Sequence, residues 1–489
     1  MCIIDIIIRD GNKMKLSEYV TYDALGLSDL IKKGEITSEE LASLALEGVN
    51  KVNDQLNAIV SLFDQPYKEK AKGDAQFDGV PFFIKDIGAS IAGIPQENGS
   101  RYTEGFVSPF TSYFAQNVLD SGFQVLGRSA CPEFGLTLTT ESIAQGITRN
   151  PWNREKIAGG SSGGSAALVA SGVVPLAHSN DGGGSTRIPA SCCGNVGLKT
   201  SRGRVSLGPI MSDITSPLIN EGCNSKTVRD TAAFLDVVSK PAKGEGILNN
   251  FANESFLEIM EKSPKKYKIA VNFEDWETGN MEPEIRSELE RICESLRVLG
   301  HTVGEASPDL SSVDYIPMFS ILWYSMAYTG LKQLAPFTNR AADSNSLEPV
   351  TLQMVEAGEK ITNLEFNQAI ATLNHLSRLF GDFFNDWDLM LTPTFYKKTP
   401  NVGGPITLNN DSSLDDWLDE AGKYIPSTPI ANMTGIPAIS VPCGIFSDNL
   451  PLGMQFFAPM GKENRLIDIA RQLEESEPWK DRRPEIFVA

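Results

Sequence analysis

Two stretches of this chain are far denser in glycine and serine than the rest: AGGSSGGSAALVASG (158–172) and DGGGSTRIPASCCGNVGLKT (181–200). In the second, Gly182, Gly183 and Gly184 precede Ser185. Successive backbone N–H groups with no side chain in the way can converge on a developing oxyanion. Ser185 then stands where a nucleophile would be. A serine nucleophile needs a base, and the whole chain holds only three histidines, His178, His301 and His375, far apart in sequence. A lysine can replace histidine if burial lowers its pKa toward neutrality. Lys85 ends the apolar run GVPFFI, and Ser161 in GGSSGG offers a hydroxyl to relay the proton.

Other readings of the glycines compete. GxxxxGK is absent, which rejects a P-loop, and the spacing does not fit GxGxxG after a strand. Gly159 to Gly163 matches the GxSxG nucleophile elbow, which requires a later acid and histidine; His301 and His375 are available without supporting context. Read singly, Lys85 is an ordinary surface or ion-paired lysine, and Ser161 and Ser185 are loop serines. Cys192 and Cys193 read as buried packing residues and His178 as structural.

The elements that must position these groups sit in a chain of 489 residues, 41% hydrophobic and 21% charged. That length allows about three domains at roughly 150 residues each. The composition excludes disorder, a collagen-like fibre and a small disulfide scaffold. With 43 basic and 62 acidic residues the net charge is −19. Such a body repels phosphate backbones, so nucleic-acid and anionic-membrane partners are disfavoured. Seven cysteines, an odd count with no CxxC pair, fit a reducing, cytoplasmic compartment and no zinc knuckle. No histidine spacing suits a metal, and no cofactor motif is found.

The amino terminus, MCIIDIIIRDGNKMK, lacks a basic n-region and a cleavage site. Residues 1–13 read as an extension or as a short added edge strand, leaving 14–489 as the domain. No run of 18 apolar residues occurs, so no transmembrane helix is expected. Residues 16–55 have helical spacing, with Ser38 before Glu39 and Glu40 as a start signal. Strands are expected at 79–84, 267–271, 387–394 and 436–442. Helices are expected up to residue 299, across 310–380, and at 462–474.

Taken together, GVPFFIKD (79–86), TRNPWN (148–153), GGSSGGSAA (159–167), DGGGSTRIPASCCGNVGLKTSRGRVS (181–206), GIPAISVPCG (435–444) and LPLGMQ (450–455) resemble the amidase signature hydrolases over roughly residues 16–485. The resemblance implies Lys85 as general base, Ser161 as the bridging serine after a cis peptide bond, and Ser185 as nucleophile. Gly182, Gly183, Gly184 and the Ser185 N–H would form the oxyanion hole. The family often has a bulkier residue where Gly182 stands.

The implied fold is α/β, a single compact amidase-signature domain with a mixed central β-sheet covered by helices on both faces. The implied activity is hydrolysis of a small linear or cyclic amide through an acyl-enzyme, with no cofactor and no metal. A homodimer is left open. Within the family, TRNPWN, NDGGGSTRIPAS and PWKDRRPEIF look most like the 6-aminohexanoate cyclic dimer hydrolase branch. The alternative is the glutaminase chain of a tRNA-dependent amidotransferase, which works with a tRNA-binding partner chain. An inactive scaffold is disfavoured by the intact Lys85, Ser161 and Ser185. The aromatics Phe319, Trp323, Tyr324 and Tyr328, with Met326 among them, read as core or as an acyl pocket. The acidic stretch 409–419 reads as a solvated loop or short helix, or a cover for a pocket mouth.

Overall fold

Alternation along the strands sorts the apolar residues into two cores. Ile269, Val271, Leu389, Leu391, Ile439 and Val441 pack in one, while Ala270, Met390 and Ala438 pack in the other. A strand buried on both faces reads as a continuous apolar run, and its helices must come from both sides. A computed structural model describes residues 14–69, 75–240, 242–245, 251, 255–274 and 281–489. The extension assigned to residues 1–13 lies outside the described residues.

The central sheet has eight strands in the order Thr302–Glu305, Lys268–Val271, Leu389–Pro393, Pro451–Phe457, Ala438–Ile445, Val196–Lys199, Asn220–Ser225 and Leu176–Asp181. The first three run parallel and the remaining neighbours antiparallel. Helices Val228–Val238, Pro283–Val298 and Glu463–Ser476 pack in one core. Helices Tyr315–Thr338, Pro349–Lys360, Asn363–Phe383 and Thr428–Thr434 pack in the other. The expected α/β fold, one domain with a mixed sheet between helical layers, is what forms. A separate three-stranded sheet, Ile59–Tyr67, Gln124–Ser129 and Pro81–Lys85, carries the lysine.

Most expected elements form near their anticipated bounds. One start signal moves: Thr37, not Ser38, caps helix Ser38–Leu56, in a capping box with Glu40. The Thr37 hydroxyl accepts from the Glu40 N–H, and the Glu40 carboxylate accepts from the Thr37 N–H. That pairing satisfies two helix-end donors, which Ser38 placed one residue later would not do. The acidic stretch becomes helix Leu414–Gly422, started by Ser413.

Candidate active site

Lys85 is the last residue of strand Pro81–Lys85 and is fully buried. Its Nζ donates to Ser161 Oγ at 2.7 Å, Ser162 Oγ at 2.9 Å and Asn180 Oδ1 at 2.7 Å. All three acceptors are neutral. Burial pulls the lysine pKa down to about 8, against the opposing pull of Cys131, Glu221 and Asp181. Near neutrality a useful fraction of Lys85 therefore carries a lone pair, aimed at the Ser161 hydroxyl.

Ser161 follows a cis peptide bond, Gly160–Ser161. A side chain at Gly160 would place Cβ 2.4 Å from the Thr139 carbonyl oxygen, so only glycine lets the two segments approach. Ser162 leads into helix Gly163–Ala170, whose mostly small residues are buried from Gly163 to Val169. There Ser165 Oγ donates to the His178 carbonyl at 2.6 Å and ties the helix to strand Leu176–Asp181.

That strand ends in the turn bearing Ser185. Asp181 organises the turn: its carboxylate accepts from the Gly184 N–H at 2.8 Å and the Thr186 N–H at 3.2 Å. Arg187 grips the same carboxylate with Nε and Nη2, each at 2.9 Å. Burial alone would raise this carboxyl's pKa; the Arg187 charge and hydrogen bonds, with Lys199 and Asn432, bring it down to about 2. Behind the turn, Thr428 Oγ1 donates to the Gly183 carbonyl at 2.8 Å. Gly184 has φ +129°, and a Cβ there would lie 2.7 Å from Ile188 Cδ1 and Thr428 Oγ1.

With the Gly184 N–H taken by Asp181, the donor set narrows. Gly182, Gly183 and Ser185 have backbone N–H groups with no protein acceptor among the described residues. The ring of Trp323 fills the space a bulkier residue at Gly182 would need, with Cζ3 3.1 Å from where Cβ would stand.

Ser185 lines a cavity of about 1000 Å³. Phe319, Trp323 and Tyr324 of helix Tyr315–Thr338 form part of its wall, with Phe319 and Trp323 stacked at 5.3 Å between ring centroids. Met326 and Tyr328 pack elsewhere in the helical core. Asp415, Trp417, Leu418 and Asp419 of helix Leu414–Gly422 also face the cavity, so the acidic stretch does border a pocket.

The structure joins Lys85 to Ser161 directly. Asn180 connects both to the Ser185 turn, since it accepts from Lys85 Nζ and precedes Asp181. No hydrogen bond joins Ser161 to Ser185 among the described residues. His178 is buried under the site: its Nδ1 accepts from the Lys85 N–H at 3.0 Å, and its Nε2 pairs with Glu221 at 2.7 Å. His301 accepts from the Tyr267 N–H, and His375 is exposed on its helix, so the elbow triad is not assembled. Cys192 and Cys193 are buried, and burial pushes the Cys192 thiol up to about 12. Sequence reasoning gave no role to Ser162, Asn180 or Asp181. Their adjacency to Ser161 and Ser185 was the available signal.

A family model described as Amidase matches residues 40–467. This chain belongs to the amidase family. It is 32% identical over 478 residues to the 6-aminohexanoate-cyclic-dimer hydrolase of Paenarthrobacter ureafaciens, covering 95% of this chain and 97% of that one. It is 34% identical over 462 residues to the putative amidase AmiC of Mycobacterium tuberculosis, covering 94% and 95%. A glutamyl-tRNA(Gln) amidotransferase chain of Clostridium botulinum is 29% identical over 499 residues, with 96% and 100% covered. Among solved structures, that of 6-aminohexanoate cyclic dimer hydrolase complexed with substrate superposes with a TM-score of 0.89 at 30% identity, covering 96% of this chain and 99% of that one. Among the described residues no helix of this amidase-family enzyme is long and apolar enough to cross a membrane.

Proposed function

We propose that the enzyme hydrolyses a small linear or cyclic carboxylic amide through a Ser185 acyl-enzyme, with Ser161 and Lys85 moving the proton. The observation that carries this is Lys85 Nζ, buried, 2.7 Å from Ser161 Oγ and held by neutral acceptors alone. A buried lysine with an ion-pair partner would be locked as ammonium; this one is tuned toward the free amine.

Ser185 Oγ attacks the amide carbonyl carbon. Its proton passes to Ser161 Oγ while the Ser161 proton passes to Lys85 Nζ. The hydroxyl-to-hydroxyl contact tightens when substrate is bound, as catalytic contacts commonly do. The carbonyl oxygen becomes an oxyanion and takes hydrogen bonds from the free N–H groups of Gly182, Gly183 and Ser185. Collapse of the tetrahedral intermediate breaks the C–N bond. The proton returns through Ser161 to the leaving nitrogen, which departs as an amine. Water, deprotonated along the same route, then attacks the acyl ester and releases the acid and Ser185.

Similarity to a cyclic dimer hydrolase and to a putative amidase supports an amide substrate of modest size, and the cavity volume is at the upper end for small-molecule sites. The six described cysteines are all free and buried, which fits a cytoplasmic enzyme. The amidotransferase reading has less support, since it rests on the 29% relative. The test is a hydrolysis screen of the purified chain alone over aliphatic, aryl and cyclic amides, with Ser185→Ala as control. Turnover without a partner, abolished by Ser185→Ala, supports the proposal. Turnover only with an added partner chain favours the amidotransferase reading.

A further inference from the structure

Lys85 Nζ has three neutral side chains around it, and a neutral amine has two protons to give and one lone pair. Two of the three partners therefore accept from the amine, and the third donates to it. The Ser162 hydroxyl is committed as an acceptor of Lys85. Its own proton goes to the Asn180 carbonyl at 3.3 Å, and it also accepts from the Asn180 N–H at 3.4 Å. The Asn180 side chain is committed in the same sense. Its Nδ2 donates to the Ile87 carbonyl at 3.3 Å, which turns Oδ1, an atom without a proton, toward Lys85 Nζ at 2.7 Å. The reversed amide would set its oxygen against the Ile87 carbonyl, acceptor against acceptor. Gly88 leaves room for this amide: it has φ +98°, and a Cβ there would stand 2.6 Å from Asn180 Nδ2. That leaves Ser161, whose hydroxyl has no other hydrogen-bond partner among the described residues.

The ionisable groups around Lys85 are already engaged. Glu221 and Asp181 pull the lysine toward ammonium, but Glu221 is bonded to His178 and Asp181 to Arg187. Burial works against a proton on His178 and holds the Cys131 thiol protonated. Asp86, the next residue in the chain, faces Arg128 at 4.0 Å. The amide of Asn180 thus supplies an acceptor where a carboxylate would lock the lysine as ammonium. Neither Asn180 nor Lys85 lines the cavity that holds Ser185.

We propose that Asn180 is a positioning residue for the base: with Ser162 it takes both protons of the neutral Lys85 amine and so aims the lone pair at the Ser161 hydroxyl. This rests on the reading of Lys85 as the base and adds to it the residue that orients the amine. Asn180 touches the amine alone, so it acts on the proton-transfer step and leaves substrate binding as it is. Its loss also removes one acceptor from the ammonium form, which needs three, and that loss favours the free amine.

The test measures single-turnover cleavage of an aryl amide across pH in the full-length wild-type enzyme, Asn180→Leu and Asn180→Asp, with melting curves to show that each variant is folded. In Asn180→Leu the plateau rate at saturating substrate should fall about tenfold or more, within the usual worth of placed proton transfer. The half-saturating concentration should stay within about twofold of wild type. The acid limb should move down in pH by about one unit, the scale of one hydrogen bond to a charged group. In Asn180→Asp the limb should move up by about one unit or more, because an opposite charge beside the amine favours ammonium. A variant that merely loosens the site would lower the rate without moving the limb in opposite directions. A plateau rate within about twofold of wild type in Asn180→Leu overturns the proposal, as does a limb that does not move down there. A limb that does not move up in Asn180→Asp overturns it too, and this near-isosteric variant decides alone if Asn180→Leu does not fold. Failure of the underlying reading looks different: Lys85→Ala would then keep the wild-type rate and pH profile.

Discussion

The backbone N–H of Lys85 donates to Nδ1 of His178 at 3.0 Å. The ring proton must therefore sit on Nε2, where it is donated to Glu221. Burial lowers the pKa of His178, against the pull of Glu221. His178 thus fixes the strand end that presents Lys85, and with both ring nitrogens engaged it has none free to take a proton from Ser185. His178→Ala is expected to leave the Lys85 N–H and the Glu221 carboxylate short of partners. Each buried group so orphaned costs about 1–3 kcal/mol. The variant should melt markedly lower in a thermal scan. The neutral ring also sets a pH dependence. Unfolded histidine takes up a proton below about 6.5 while the folded one resists, so the unfolded state binds more protons there. This contribution to stability should fade as pH falls through that value, and the wild-type minus His178→Ala difference in melting temperature should shrink with it.

In the proposed mechanism Lys85 sets the acid limb of activity. With its pKa lowered to about 8 by burial, the amine is charged below that pH and neutral above it. The rate constant kcat/KM should rise tenfold per pH unit at acid pH and level off above about 8. Lys85→Ala should lower kcat/KM by about 10²–10⁴-fold, the usual worth of a placed general base. Single-turnover rates across pH check both expectations.

Asp181 and Arg187 are 1% and 0% exposed and form a bidentate ion pair beneath the Ser185 turn. Asp181→Asn keeps the shape but leaves the Arg187 charge uncompensated. Breaking one partner of a buried pair costs about 3–5 kcal/mol. Denaturant unfolding should register a loss of that size. With the Gly184 and Thr186 N–H groups held less firmly, kcat should fall as well.

Gly182 and Trp323 form one packing unit. Gly182→Ala brings a methyl within 3.1 Å of the Trp323 ring and should reduce kcat/KM. Trp323→Ala in the same chain opens that space. The double variant is expected to be more active than the product of the two single effects predicts, since residues in contact couple. Simple additivity in a double-mutant cycle would mean the ring does not constrain the turn.

Much of the fold was legible because buried strands announce themselves. Runs such as PAISV between turn residues have few other places to go than a sheet covered on both faces. The glycine turns were legible because positive φ at Gly184 and the close approach at Gly160 leave only one residue type. The donor set at the turn was not, because which N–H Asp181 would take depends on tertiary geometry. Sequence reading counted Gly184 as an oxyanion donor, and its N–H is instead bonded to Asp181.

In the proposed mechanism everything turns on Ser185 carrying the acyl group. Rapid quench of the enzyme with an aryl amide, followed by peptide mass spectrometry, reads this out. An acyl adduct is expected on the peptide containing Ser185, formed faster than steady-state turnover wherever deacylation is the slower step. No adduct is expected in Ser185→Ala. An acyl group on Ser161, or undiminished turnover by Ser185→Ala, would refute the assignment of the nucleophile.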